Sequence, residues 1–250
     1  MDDIRSKQQN RRIFLKAAGA AAGTFALSAL PFMAYAATES AGKLKIGTIG
    51  SGRIGATLGE IWLKNGHQVM FSSLDIVHDK ALAAKLGPNA RAGTSREAAE
   101  FGDVILLAVP YRAVPQIGKD LGGVLKGKVL IDASNPIVPR DGEVGTWARE
   151  KGAGAASAEL LPGVRIVRAF NAIGFAKLPE FSQRQGERVG MPIAGDDPKA
   201  IEIASGLIRE VGLEPVLIGP LAMGRYLIPG TALGGERSAD EIKKIVATLK

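Results

Sequence analysis

The segment most clearly able to do chemistry is Gly50-Ser51-Gly52-Arg53-Ile54-Gly55, a G-x-G-x-x-G hexamer. Such a hexamer carries meaning only where a strand precedes it and a helix follows. Here Lys43–Ile49 reads as a short buried strand, and Ile54, Leu58, Ile61 and Trp62 form one helical stripe that stops at Gly66. In that setting Gly50 allows the tight turn, Gly52 omits the Cβ that would block a pyrophosphate, and Gly55 lets the helix close on the sheet. Ser51, Arg53 and Ile54 complete the turn, and the helix N-terminus faces the phosphates. The expected ligand is a nicotinamide dinucleotide, NADP or NAD.

The choice between the two is read at the end of the second strand, where an acid for the ribose is expected some twenty residues on. The segment there is Ser72-Ser73-Leu74-Asp75, with no carboxylate at 73. Ser73 can bond a hydroxyl or a 2′-phosphate, Asp75 is a candidate for a free ribose, and His78 and Lys80 are cations suited to a phosphate. NADP is favoured, with NAD as the alternative.

The elements that must position these residues alternate. Strands are expected at Gln68–Phe71, Arg91–Ala92, Val104–Val109, Lys128–Ile131, Val164–Ala169, Val189–Ala194 and Glu214–Ile218. Helices are expected at Val77–Leu86, from Thr94 or Ser95, at Val114–Leu121, Thr146–Leu161, Pro198–Gly212 and Ser238–Leu249. Pro192 points to an edge or terminal position for its strand. VILLAV at 104–109 has the apolar texture of a strand covered on both faces. The class is therefore α/β: a doubly wound, mainly parallel sheet of the Rossmann NAD(P)-binding kind. One domain is expected over residues 43–220, with a C-terminal loop and helix at 221–250 packed on it. The glycine-rich stretch 222–237 reads as a loop or broken helix.

In such a sheet the ligand lies beyond the C-terminal strand ends. Pro110-Tyr111-Arg112, Ser134-Asn135-Pro136, Asn171-Ala172-Ile173 and Gly195-Asp196-Asp197 stand there. Arg112 suits an anionic tail and Tyr111 suits the face of a ring, against the plainer reading of both as an exposed helix start. Asp196-Asp197 before Pro198 reads as a helix cap, and His67 as a packing or solvent-facing residue. Two distant histidines build no zinc site, and Ser134 lacks a histidine base. No residue is assigned a catalytic acid–base role. Hydride transfer needs none, only two rings held in contact with water excluded.

The first 36 residues differ in texture. Asn10-Arg11-Arg12-Ile13-Phe14-Leu15-Lys16 precedes an uncharged run, Ala17–Thr38, that contains the small-x-small site Ala34-Tyr35-Ala36. This segment resembles a twin-arginine export signal, which implies the twin-arginine translocase as a partner and a periplasmic or otherwise exported protein. An uncleaved membrane tether is the alternative. These residues hold five cations against two acids, so they carry +3 of the formal +7. The remaining charge is mild and mixed, and no nucleic-acid partner is expected. The chain has no cysteine, which excludes thiol catalysis and Cys-ligated metal.

Taken together, Ile46–Gly55, Gly66-His67 with Ser73, Ala108-Val109-Pro110, Asp132–Pro136, Val167–Asn171, Ala194–Asp197 and Gly219-Pro220-Leu221 resemble the NADPH-dependent reductases of the 8-hydroxy-5-deazaflavin coenzyme F420. That family shares its N-terminal domain with pyrroline-5-carboxylate reductases. The resemblance implies an oxidoreductase transferring a hydride between NADP and a deazaflavin or flavin-like acceptor. It puts Ala108, Val109 and Pro110 beside the nucleotide, and Asn135, Pro136, Phe170 and Asn171 beside the nicotinamide and the second substrate. Family members carry Ser-Arg after the second strand; here Ser73 is kept and Leu74 replaces the arginine. The alternatives are an NAD(P)-dependent reductase of another small substrate and a nucleotide-binding protein without turnover. A homodimer is a further expectation, but the 30 residues after Pro220 are too few for a pyrroline-5-carboxylate-reductase-type dimer domain.

Overall fold

The computed structural model describes residues 42–249. The segment at 1–36 expected to be an export signal lies outside them. Eight strands form one sheet: β1 Lys45–Ile49, β2 Gln68–Ser72, β3 Ala90–Ala92, β4 Val104–Leu107, β5 Val129–Asp132, β6 Arg165–Arg168, β7 Gly190–Gly195 and β8 Glu214–Gly219. Their spatial order is β3-β2-β1-β4-β5-β6-β7-β8, with every neighbouring pair parallel except β6 with β7. The doubly wound, mainly parallel Rossmann-like sheet is therefore the observed architecture. From β1 the chain winds outward to β2 and β3, then returns to β4 on the other flank. The crevice between the β1 and β4 ends is thus the topological switch point.

Helices cover both faces: α1 Arg53–Lys64, α2 Ile76–Leu86, α3 Ser95–Phe101, α4 Val114–Leu125, α5 Val138–Lys151, α6 Ala153–Leu160, α7 Leu178–Phe181, α8 Pro198–Glu210 and α9 Ala239–Val246. Strand periodicity decides which face each residue joins. Val104 and Leu106 of β4 point into one core with Leu58 and Trp62 of α1 and Leu207 and Ile208 of α8. Ile105 and Leu107 point into the other, with Leu121 and Leu125 of α4 and Ala156 of α6. Trp62 crosses from α1 to α8 by donating its indole N–H to the Leu207 carbonyl (3.1 Å). A third, smaller cluster seats Ile242 of α9 on Val216 and Ile218 of β8.

Local signals set most helix starts. Thr94 and Ser238 each form a reciprocal capping box, with Glu97 and Glu241. Asp197 caps α8 by accepting from the Ala200 amide (2.8 Å), and Arg165 pairs with it at 2.6 Å. Those donors hold the Asp197 carboxyl down to about 2.

Two expectations change. The single helix expected at 146–161 is broken at Gly152, whose φ of 91° no ordinary helical residue adopts, and the stretch Val138–Lys151 before it is itself kinked at Gly142 (φ 58°, ψ −138°). The strand with Pro192 is not at the sheet edge; β3 and β8 are. Its ladder to β6 covers only Gly195 and Ala194, so Pro192 borders one strand and its missing N–H costs little. Residues 222–237, expected as a loop or broken helix, begin in the 3₁₀ turn Leu221–Tyr226 and continue as turns.

Candidate functional site

The turn after β1 is built for close approach. Gly50 has φ +101°, and a Cβ there would stand 2.4 Å from the Ala108 carbonyl. Ala108 lies just beyond β4 and donates its amide to the Ile49 carbonyl (2.9 Å), so the turn and the β4 end abut. Gly55 is equally committed: a Cβ would meet the Gly50 carbonyl at 2.0 Å. Gly52 differs. It is exposed, and a Cβ on it would meet nothing within 4 Å.

Gly52 is also the N-cap of α1, and no side chain caps that helix. The amides of its first turn therefore have no intrahelical partner, and no acidic residue sits among them. They form a positive end open to an anion such as a phosphate. Arg53 does not turn into this opening but lies over the Phe175 ring, 5.3 Å from its centroid. Ile54 is half-buried against the core cluster of α1.

The end of β2 meets the same turn. The amides of Gly50 and Ser51 both donate to the Ser72 carbonyl (2.9 and 3.0 Å). Leu74 is fully exposed, and Ile76 and Val77 beside it are exposed as well. Asp75 does not reach for a ribose; its carboxylate caps α2 by accepting from the Val77 and His78 amides. The residue that sequence reasoning missed is Asp79. It is fully buried and accepts hydrogen bonds from the hydroxyls of both Ser51 and Ser73. An acid in the first turn of a helix is an ordinary sequence feature, so nothing marked it out beforehand.

At the ends of β5 and β6 a second polar group gathers. Asp132 and Arg168 form an ion pair at 2.7 Å with both side chains fully buried. Asp132 also accepts from Ser157 (2.7 Å), from the Ser134 amide (2.9 Å) and from the Ser134 hydroxyl. Arg168 donates to the carbonyls of Ser134 and Leu227 (3.0 Å each). Tyr111 joins through Ser157 (3.0 Å) and the Ala153 carbonyl (3.2 Å). Tyr111 is therefore a core residue and not a cover for a ring. Burial, with the Asp132 carboxylate beside it, pushes its phenol pKa up. Arg112 remains exposed and donates to the Arg140 carbonyl (2.7 Å).

Beside this group Phe170 has φ 63°, the only positive value among the described non-glycine residues. That turn of the backbone follows β6 and leads into Asn171, whose amide N donates to the Ser134 carbonyl and to Asn135 Oδ1 (3.2 Å each). Asn171 Oδ1 is buried and lacks a hydrogen-bond partner among the described residues. Pro136 is buried and Asn135 half-buried, while Val109 is half-buried and Pro110 exposed past β4. Asp141 sits near the start of α5. Burial works against its charge, but Arg140 and the amides of Ile137 and Arg112 together hold its pKa below the usual range. His67 is buried, bonded to the Leu44 amide and to Glu210 (2.7 Å), past the C-terminal end of α1 and so at the opposite end of that helix from the glycine turn.

Comparison with known proteins bears on this geometry. Residues 45–136 match the family model described as NADP oxidoreductase coenzyme F420-dependent. The chain is 27% identical over 198 residues to the F420-dependent NADP reductase of Methanothermobacter thermautotrophicus, covering 74% of this chain and 84% of that one. It is 29% identical over 181 residues to the metalloreductase STEAP3 of Rattus norvegicus, of which it spans only 35%. Among solved structures, a hypothetical protein, SMa0349 of Sinorhizobium meliloti, superposes with a TM-score of 0.66 at 25% identity, over 78% of this chain and 95% of that one. These similarities relate the chain, at low identity, to NAD(P)-binding reductases.

Proposed function

We propose that this protein transfers a hydride between a nicotinamide dinucleotide and a deazaflavin or flavin-like acceptor. The observation that carries the reading is the open, uncapped N-terminus of α1 at Gly52, set at the switch point of the sheet. A pyrophosphate fits there because a Cβ is missing where space is open and free amides face it. At the other end of the cleft, the orphaned Asn171 Oδ1 is a buried acceptor suited to a carboxamide N–H. A bound dinucleotide would supply the hydride. The chain's own residues would bind it and orient it: Gly50, Ser51, Gly52, Arg53, Ile54 and Gly55 at the phosphates, Ser73 and Leu74 at the adenosine ribose, Ala108, Val109 and Pro110 along the nucleotide, and Asn135 and Pro136 at the nicotinamide. The similarity to an F420-dependent NADP reductase supports the choice of acceptor. Arg53, stacked on Phe175 at the start of α1, would help exclude water beside the turn.

The test is to follow oxidation of reduced dinucleotide by the purified full chain with and without an added deazaflavin or flavin. Turnover that depends on such an acceptor supports the reading. Turnover only with another small substrate selects the broader NAD(P)-dependent reductase. Tight binding without turnover selects a nucleotide-binding protein, and no binding defeats all three. Residues 1–36 support a further proposal, export of the folded chain by the twin-arginine translocase. Cell fractionation and N-terminal sequencing would check it, with Ala37 as the expected new terminus.

A further inference from the structure

We infer that Asp79 is the specificity-determining residue of the dinucleotide site and that it selects a free ribose 2′-hydroxyl over a 2′-phosphate. This rests on the dinucleotide reading above and goes beyond it by naming the ligand's adenosine end. No acid stands at 73 or 74 in the sequence, but the fold brings one to that place from the first turn of α2. The Asp79 carboxylate is fully buried between two loops. One oxygen accepts from Ser51 of the glycine turn, and the other accepts from Ser73 at 2.9 Å.

Proton counting then decides what Ser73 presents. A serine hydroxyl carries one proton and can accept through its lone pairs. The Ser73 proton is directed at Asp79, with a longer approach to the Asp75 carbonyl at 3.3 Å, and its oxygen accepts from the Asp75 amide at 3.1 Å. A ligand therefore finds an acceptor at Ser73. A 2′-hydroxyl can donate to it, whereas a phosphate, which offers acceptor oxygens, cannot. A phosphate held at Ser73 would also stand about two hydrogen-bond lengths from the buried carboxylate, and like charges at that range repel.

The surrounding charges do not offset this. Leu74 is apolar and fully exposed, and Asp75 is a second acid, engaged as a helix cap. His78 is half-exposed, and its Nδ1 faces Asp79 at 3.3 Å. Lys80 is exposed and its charge acts on Glu97, while Arg53 lies over Phe175.

The deciding experiment titrates the full chain with NADH and NADPH in parallel, for the native protein and for Asp79→Asn. The native chain is expected to bind NADH at least about tenfold more tightly than NADPH. Asp79→Asn is expected to shrink that ratio several-fold, whereas a merely structural role would weaken both ligands equally and leave the ratio unchanged. An unchanged ratio, or native NADPH binding as tight as NADH, overturns the inference while the dinucleotide reading stands. Binding of neither ligand overturns both. Should Asp79→Asn not fold, the native chain's affinity for ADP against 2′-phospho-ADP gives the same ratio, and a preference for the phosphorylated form overturns the inference.

Discussion

Two strand-end regions of one sheet treat their polar groups in opposite ways. At the end of β1 the helix amides above Gly52 have no side-chain cap among the described residues, and the glycine leaves space in front of them. At the ends of β5 and β6, Asp132 and Arg168 are sealed from solvent and bonded to Ser134, Ser157, Leu227 and each other, with only the Arg168 Nε–H of that pair buried and unpartnered among the described residues. The first region is prepared for something outside the chain. The second organises the chain itself: it ties the segment after β5 and the 3₁₀ turn at 221–226 to β6, and so frames the turn that carries Phe170 and Asn171. Free donors at an open helix end mark where a ligand can gain energy, while donors engaged inside the fold mark where the backbone is being held.

The sharpest way to break the second region is Arg168→Leu. It leaves the Asp132 carboxylate buried without its cation, and breaking such a pair by removing one partner costs about 3–5 kcal/mol. Urea unfolding would read this as a large drop in midpoint. A midpoint within error of the native one would mean the pair does not hold the fold.

Glycine substitutions sharpen the comparison within the first region. Gly52→Ala is expected to leave the thermal midpoint nearly unchanged, because the added Cβ meets nothing within 4 Å. It should weaken dinucleotide binding about tenfold or more, equivalent to roughly 1.4 kcal/mol. Gly50→Ala should instead destabilise the protein with or without ligand, since its φ is +101° and its Cβ would run into Ala108. Paired melting and binding curves separate the two.

The smallest effect belongs to Tyr111→Phe, which removes a hydroxyl shared between Ser157 and the Ala153 carbonyl and should cost about 1 kcal/mol near neutrality. Its pH dependence has a definite sign. The folded phenol pKa is raised, so the native state keeps the proton while the unfolded chain loses it near pH 10. Native stability should therefore fall as pH rises above about 10, and Tyr111→Phe should flatten that fall. Unfolding curves across that range would show it, and parallel declines in both proteins would place the loss elsewhere.

How much of this was legible beforehand depends on range along the chain. The glycine turn, the caps at Thr94, Asp197 and Ser238, and the alternation of strand and helix all depend on residues a few positions apart. Tyr111 was misread because nothing adjacent to it says that Ser157, 46 residues on, will meet its hydroxyl. Asp75 and Asp79 are both acids near a helix start, and only burial separates them: one caps α2 at the surface and the other is enclosed between Ser51 and Ser73. The break at Gly152 reads from the sequence only as a weak, glycine-rich patch with Gly154, because a glycine inside an alanine-rich stretch is compatible with either a weak helix or a stop.

What the sequence determined by itself was the class of fold and the place of the glycine turn, because backbone freedom at glycine and side-chain periodicity are local properties. What only the tertiary structure decided was which polar groups became buried partners. Asp132 and Arg168 stand 36 residues apart, and parallel pairing of β5 with β6 puts them side by side. Asp79 and Ser51 stand 28 apart, joined where α2 folds back on the glycine turn. The strength of a hydrogen bond or ion pair is set by how far the surrounding fold excludes water, and that exclusion exists only once distant strands and helices have packed.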